Sequence, residues 1–432
     1  VSFTDLAITL DGGTGFTLVA SAAAPIAGAT SAAFDIENPL PVLSAMTPIF
    51  TAADSGDQTL TLSGSGFVKS SVVKWGTNET ILASTTVAAD SITATVPANL
   101  LTTAGTAAVT VFSPAAGGGT SSALTFTITP DAQASEVWVD DDWTGYGDCG
   151  GHVWGYDAFK TIQSAIDGVA DGGTVNVLAG LYEQQLTVNK PLALLGPNAA
   201  VAGTGSRVAE AVVQFPDGAA NGSELIRVLS NLHNVTIAGF DLRCQDSTIP
   251  NYHYLIGATS SSLTDPTEKW NNMTIRNNRM YSSEIPVYIL TDFDVHGSGV
   301  LIEGNYINGG PNVNNCYNRG LYVGGTSGTI QDNVVENCNI GIQYMPYGNP
   351  NTGVIRRNTV SASNIGLYNN YQTIGAALVT WEQNVVAVAP NPQTGPATQV
   401  DGARTSPAVF NGIYFNTFGT QGTGVAPTAL FQ

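Results

Sequence analysis

Six short segments, TIRNNRM, LIEGNYI, TIQDNVV, VIRRNTV, TWEQNVV and GIYFNTF, share one frame. Each sets an apolar residue three positions before an asparagine and another two positions after it. The asparagines are Asn278, Asn305, Asn333, Asn358, Asn384 and Asn416, separated by 25 to 32 residues. A unit of that length cannot enclose a core of its own, so its copies must stack. The repeats carry a second apolar stretch, PVYIL, GLYV, GIQY or GLYN. With the residues after the asparagine this makes three strands per coil, the pattern of a right-handed parallel β-helix in which successive coils lie about 4.8 Å apart. Asparagine suits the corner because it tolerates a left-handed bend and its carboxamide both donates and accepts. The six residues are therefore expected to form a structural ladder, amide on amide.

At 432 residues the length allows roughly three domains. An apolar share of 43%, a charged share of 11% and 48 glycines fit an all-β, turn-rich chain. The net charge of -19 repels phosphate backbones and anionic lipid, which argues against nucleic acid as a partner. No apolar run approaches the roughly 18 residues of a membrane span, and the opening VSFTDLAITL lacks the basic start of a signal peptide. Cys149, Cys244, Cys316 and Cys338 show no CxxC or Cys/His metal spacing.

The patterning divides the chain into three regions. Residues 1–38 alternate apolar and small polar residues in three strand-length pieces, one half of a β-sandwich, which cannot bury itself. Its GTGFTLVAS and SAAFDI strands resemble the C-terminal part of a bacterial immunoglobulin-like repeat. The resemblance implies that partner strands lie upstream or come from another molecule. The proline-punctuated ENPLPVLS then leads into residues 39–130, a series of short alternating strands at sandwich spacing. The GSGF turn, the VVKWG strand and the AAGGGTSSALTFTI ending resemble the IPT/TIG immunoglobulin-like domain. That resemblance implies a spacer on a secreted or surface chain, with Trp75 in its core.

Residues 134–432 form the third region, and it opens with one amphipathic helix. Asp157 is placed to cap it, with Phe159, Ile162, Ile166 and Val169 on one face and Gly172 and Gly173 ending it. Such a helix closes a parallel stack whose first coil would otherwise offer unpaired backbone. With its opening DAFKTIQSAIDGVADGGTVNVLAGLYEQQLTVNKPLALLG, the region resembles the pectate-lyase-like β-helix superfamily. That superfamily contains polysaccharide lyases, esterases, glycosidases, tailspikes and surface-layer proteins, so the resemblance fixes the fold and leaves the chemistry open. GLYEQ is similar to the Gly-x-Tyr-x-Glu start of pectin methylesterases. Their Gln-Asp-Thr, Asp-Phe-Ile-Phe-Gly and Arg-Pro-Trp stretches are absent.

A lyase would need carboxylates for a cation and a basic residue on the same face. The candidates are Asp292, Asp294 and His296 in TDFDVHG, with Arg319 before the next strand; a solvated turn is the alternative. A calcium site would draw on Asp292 and Asp294, or on Asp140 and Asp142 in VDDDW, although consecutive acids on a strand face opposite ways. If the leading apolar residue of each second stretch points inward, Tyr288, Tyr322, Gln343 and Tyr368 form an outward stripe. It would serve either as a contact surface for sugars or a partner protein, or as a self-stabilising ladder. Cys316 and Cys338 fall in equivalent loops of successive coils, within reach of a disulfide, with two buried thiols as the alternative. Asn78, Asn221, Asn234 and Asn272 begin glycosylation sequons, the last two beside strands that would restrict access.

The modular order and the lack of a complete catalytic set favour a non-catalytic extracellular structural protein. It would be part of a cell-surface layer, fibre or matrix with a self-assembly or adhesive role. Its expected partners are copies of itself, other surface proteins or a polysaccharide, and calcium is the one cofactor the charge suggests. The alternative is a secreted polysaccharide-active enzyme, a calcium-dependent lyase or a glycosidase working in the β-helix groove. The unclosed first sandwich and the absence of a polar cap in VAPTALFQ lead us to expect more chain on both sides.

Overall fold

The protein is described from a computed structural model. The structure describes residues 12–21, 27–130, 132–144, 149–220, 222–244, 254–259, 270–281, 284–290, 297–309, 318–345, 352–369, 378–388, 398–400, 410–414 and 417–420. The chain divides into two compact units, Val1–Gln133 and Ala134–Gln432.

In the first unit, Gly13–Phe16 pairs with Phe34–Ile36 and Val19–Ala20 with Ala29–Thr30, both antiparallel. None of the described residues from 12 to 37 is buried, as expected of half a sandwich. Asn38 ties this segment to the rest of the unit. Its carboxamide accepts from the Gly12 amide at 2.7 Å and donates to the Pro114 carbonyl at 2.8 Å. The remainder is an immunoglobulin-like sandwich. Val42–Thr47, Gln58–Ser65, Ser91–Val96 and Thr80–Val87 pair in that order, and the path continues through Val72–Trp75, Gly105–Ser113, Leu124–Thr129 and Phe50–Ala52. Alternation puts Leu60, Leu62, Ile92, Val96, Val109 and Val111 inside. Trp75 packs on Phe126 with ring centres 5.1 Å apart, as a core residue.

The second unit is a parallel β-helix of three strand ladders. The first ladder runs from Glu136–Val139 to Phe410–Tyr414, the second from Gly180–Glu183 to Thr417–Thr420 and the third from Leu186–Val188 to Thr398–Val400. Val334–Met345 and Thr359–Asn369 each run without a break from the second ladder into the third. Parallel register stacks like on like: Val175, Leu194, Ile237, Ile275, Ile302, Ile330 and Ile355 form one inward column that leads to Trp381. All eight are buried, each aliphatic contributing about 1.5–3 kcal/mol by leaving water. In the third ladder Tyr344 also points inward, donating to the Thr326 carbonyl. Its ring lies where a side chain on Gly353 would be, 2.4 Å from the site of a Cβ, so the next coil carries glycine there.

The corner between the first and second ladders is held by asparagine. Asn305 Nδ2 donates to Asn333 Oδ1 at 2.9 Å and to the Ile275 carbonyl at 2.9 Å, and the Asn305 amide donates to the same Oδ1 at 3.0 Å. The same set joins Asn278 to Asn305, Asn333 to Asn358 and Asn358 to Asn384. All five side chains are at most 1% exposed. Phe240 occupies the corner one coil earlier, and its amide donates to Asn278 Oδ1. Asn416 lies outside the described residues. The left-handed bend falls elsewhere than on the ladder residue, contrary to the sequence expectation. It belongs to the residue just before: Asn277, Gly304, Asp332, Arg357 and Gln383, with φ of 53–64°. The bend turns that side chain outward and leaves the following carboxamide aimed along the stack.

Loop 196–210 straps this corner over several coils. Gly203 donates to the Gly304 carbonyl, Asn277 Nδ2 to the Ala199 carbonyl and Arg279 Nε to the Gly203 carbonyl. Arg207, its side chain 1% exposed, holds Glu210 with two bonds and reaches the carbonyls of Val201, Asn277 and Phe240. A guanidinium so fully bonded can be buried without an uncompensated charge.

The helix at the start of the stack is Ile162–Gly168, and its cap is Thr161, whose hydroxyl accepts from the Ser164 amide at 3.2 Å. This corrects the expected Asp157 cap. Asp157 instead accepts from the Val153 amide and pairs with His152, while Phe159 lies in the strand Ala158–Phe159. That strand covers the open edge of Glu136–Val139. Gln163 covers the edge of Leu186–Val188, its carboxamide bonding both the amide and the carbonyl of Thr187. Lys190 closes the other end, donating to the Asp167 and Val169 carbonyls.

Cys338 stands after the second-ladder part of Val334–Met345 as a thiol that donates to the Glu336 carbonyl. Cys316, the other member of the disulfide-or-two-thiols alternative, lies outside the described residues. Burial pushes the Cys338 thiol up to about 12. Since the thiolate is the nucleophile, iodoacetamide at pH 8 should leave Cys338 unmodified in the folded protein and label it in denaturant, as peptide mapping would read. For the ladder, Asn333→Ala strands the Asn305 amide and the Ile302 carbonyl in a dry corner and should cost about 3 kcal/mol in urea melts. Exposed Asn337→Ala, which removes the tolerance of asparagine for its left-handed backbone at φ 56°, should cost about 1 kcal/mol.

Candidate functional site

The outward residues of the third ladder form a single column. Thr187, Arg227, Gly257, Tyr288, Tyr322, Gln343 and Tyr368 follow one another in register. Tyr288 and Tyr322 stack with ring centres 5.0 Å apart and planes 25° off parallel. On the other side of Tyr288 the next ring belongs to Tyr254, 4.6 Å away and 14° off parallel. Tyr254 stands three residues before the column position that Gly257 holds. With no side chain at Gly257, the space goes to Tyr254 and to the stem of Glu224, which comes within 2.1 Å of where a Cβ would be.

This geometry decides what the tyrosines can offer. Each face turned towards a neighbouring ring is covered by it, so Tyr288 has no face left for a sugar. The stack presents ring edges and hydroxyl groups. Burial raises the Tyr288 hydroxyl well above its ordinary value, helped by Tyr322 and Tyr254. Burial likewise raises Tyr254, with Glu284 and Glu224 adding to it. The hydroxyls therefore stay protonated and serve as both donors and acceptors.

Arg319, the basic member of the candidate set, adjoins this stack. Its amide donates to the Glu284 carbonyl at 2.9 Å and its guanidinium carbon lies 5.1 Å from the centre of the Tyr322 ring. Its Nε is buried and has no hydrogen-bond acceptor among the described residues. Gln343 holds an outward register position yet is 2% exposed. Its Nε2 lies 3.0 Å from Met345 Sδ, and its Oε1 has no donor among the described residues. Asp292, Asp294 and His296 lie outside the described residues.

Asp140 accepts from the Asp142 amide at 3.0 Å, and the intervening Asp141 accepts from the Leu181 amide in the next coil at 3.2 Å. Among the described residues no three His, Cys, Asp or Glu side chains gather as a metal site would need. Asn78 is exposed in a turn. Asn234 and Asn272 are exposed as well, held in the left-handed region with Asn272 Nδ2 donating to Asn234 Oδ1 at 3.0 Å. The flanking strands thus leave both side chains at the surface. Asn221 lies outside the described residues.

Other polar groups on the outer faces answer one another across coils. Arg357 grips Asp332 with two bonds, Gln331 bridges Glu303 and Arg356, and Tyr306 donates to Glu336. The sequence reading missed Tyr254 and the unsatisfied atoms of Arg319 and Gln343. Tyr254 sits out of frame with the other tyrosines, so no spacing rule could reach it. The exposure of Gln343 depends on what covers the strand, which no local pattern encodes.

Residues 41–128 match the IPT/TIG domain family. No curated protein sequence matches the chain. Among solved structures the chain is similar to the pectin methylesterase from Aspergillus niger in deglycosylated form. Identity is 12% over 68% of this chain and 88% of that one, with a TM-score of 0.27. It is also similar to the alginate lyase from Paenibacillus sp. str. FPU-7, at 14% identity over 60% of this chain and 96% of that one, with a TM-score of 0.26. An IPT/TIG sandwich followed by a parallel β-helix is the architecture of this chain.

Proposed function

We propose that the protein is a non-catalytic structural module of an extracellular layer, fibre or matrix, with the sandwich as spacer and the β-helix as a stiff rod. The observation that carries this reading is the unbroken run of carboxamide bonds from Asn278 to Asn384, coil to coil, at a fully buried corner. Side chains that could serve chemistry are used in the same way. The Arg357–Asp332 pair, the Gln331 bridge and the Tyr254–Tyr288–Tyr322 stack each join one coil to the next. A low-charge core with satisfied corners transmits load along its axis with little local opening.

The net charge of -19 suits a cation-rich exterior, where divalent ions would screen neighbouring copies. Electron microscopy and sedimentation of the purified protein should show ordered polymers or sheets, or attachment to a cell surface. A strict monomer that attaches to nothing would speak against this function. Incubation with acidic polysaccharides and calcium should release no unsaturated product in the ultraviolet; steady release would replace the structural role with a lyase.

A further inference from the structure

Two columns on the outer face of the first ladder have an order that reverses onto itself. They flank the buried isoleucine column that leads to Trp381, so strand alternation turns both outward. One reads Thr274, Leu301, Thr329, Val354, Thr380 and is the same from either end. The other reads Arg276, Glu303, Gln331, Arg356, Glu382, and reading it backwards inverts every charge. All of these side chains are half-buried, as on a sheet face open to solvent. Within the chain Gln331 bridges Glu303 and Arg356, and Arg356 comes to 3.8 Å from Glu382. Arg276 ends the row with an Nε that has no acceptor among the described residues.

We infer that this face packs on the same face of a second copy, antiparallel, about a two-fold axis that runs along the strand through Thr329 and Gln331. Such an axis reverses the order of the coils and keeps each column opposite itself. Arg276 then meets Glu382 of the second copy and Glu303 meets Arg356, each pair twice, with Gln331 opposite Gln331. In the other column Thr274 meets Thr380, Leu301 meets Val354 and Thr329 meets Thr329. Parallel copies with equal coils facing would set Arg276 on Arg276 and Glu303 on Glu303. Moving the antiparallel axis by half a coil sets Arg276 on Arg356 or Glu303 on Glu382, and moving it by a whole coil sets Glu303 or Arg356 on itself. Charge therefore selects one register out of these. At the rim Arg357 falls opposite Gly304, which leaves it room. The one like-charge meeting, Asp332 on Asp332, is offset by the two bonds that Arg357 gives each carboxylate. Five coils of about 4.8 Å and strands about 17 Å long give roughly 400 Å² per copy, half of the roughly 800 Å² of a standard interface. The contact is thus a weak one, formed between crowded or tethered copies. The inference rests on the structural role proposed above and names its contact surface.

Sedimentation of the full chain from about 1 µM to about 1 mM should show self-association that begins with a dimer and weakens as salt rises from about 0.05 M to about 0.5 M. Thr329→Arg brings two cations together on the axis and should weaken association roughly tenfold or more. Thr174→Arg, in the same column but outside the five paired coils, should leave it unchanged. Arg276→Glu and Glu382→Arg should each weaken the dimer, and the two together should restore it to within about twofold of the parent. A monomer at every concentration, association that survives Thr329→Arg, or a double exchange no better than the single ones overturns this face. Ordered polymers seen alongside any of those results keep the structural role and sink only the face; their absence sinks both. Should a charge exchange fail to fold, Thr329→Arg against Thr174→Arg decides, together with the salt series on the parent.

Discussion

A chain that turns the same corner in every coil must satisfy the backbone amide and carbonyl groups that the bend takes out of the strand ladders. The corner of this β-helix is dry, so water cannot do it. A carboxamide is a peptide group on a short tether, and asparagine puts one where the missing ladder partner would stand. Asn333 meets the Asn305 amide, the Ile302 carbonyl and the Asn358 carboxamide at once. The ladders on either side, and the aliphatic columns they bury, can stay in register only because this corner repeats from coil to coil.

The fixed register has two effects on the outside. It brings unlike charges into contact, as with Arg357 and Asp332, and it stacks aromatic residues face to face, as with Tyr288 and Tyr322. In both cases side chains that look like binding equipment in the sequence hold coils together instead. The exception is the place where the column changes from tyrosine to glutamine. There the stack stops at Tyr322, Gln343 withdraws from solvent, and Arg319 lies beside the ring with no carboxylate among the described residues.

The recurrence of an asparagine between apolar residues made the β-helix legible because period, turn and core share one frame. The outward column of Tyr288, Tyr322, Gln343 and Tyr368 could be read for the same reason: strand alternation carries across coils once the register is known. What escaped was local geometry without a repeat. The left-handed residue precedes the ladder asparagine, and its identity varies from Asn277 to Arg357, so no letter marks it. Asp157 reads as the cap in sequence, and it is the strand pairing of Ala158–Phe159 that moves the helix start to Thr161. Tyr254 reaches the stack across a glycine, and Arg207 anchors its loop to the Asn277 carbonyl, 70 residues further along the chain.

The separation of bend from ladder has an evolutionary reading. Since the left-handed position carries an outward side chain and the buried bonding falls to its neighbour, the two vary under different pressures. Asn277, Gly304, Asp332, Arg357 and Gln383 already span neutral, acidic and basic chemistry at equivalent corners. Selection can therefore rewrite the outer rim of the β-helix one rung at a time, while the interior that sets its pitch stays untouched.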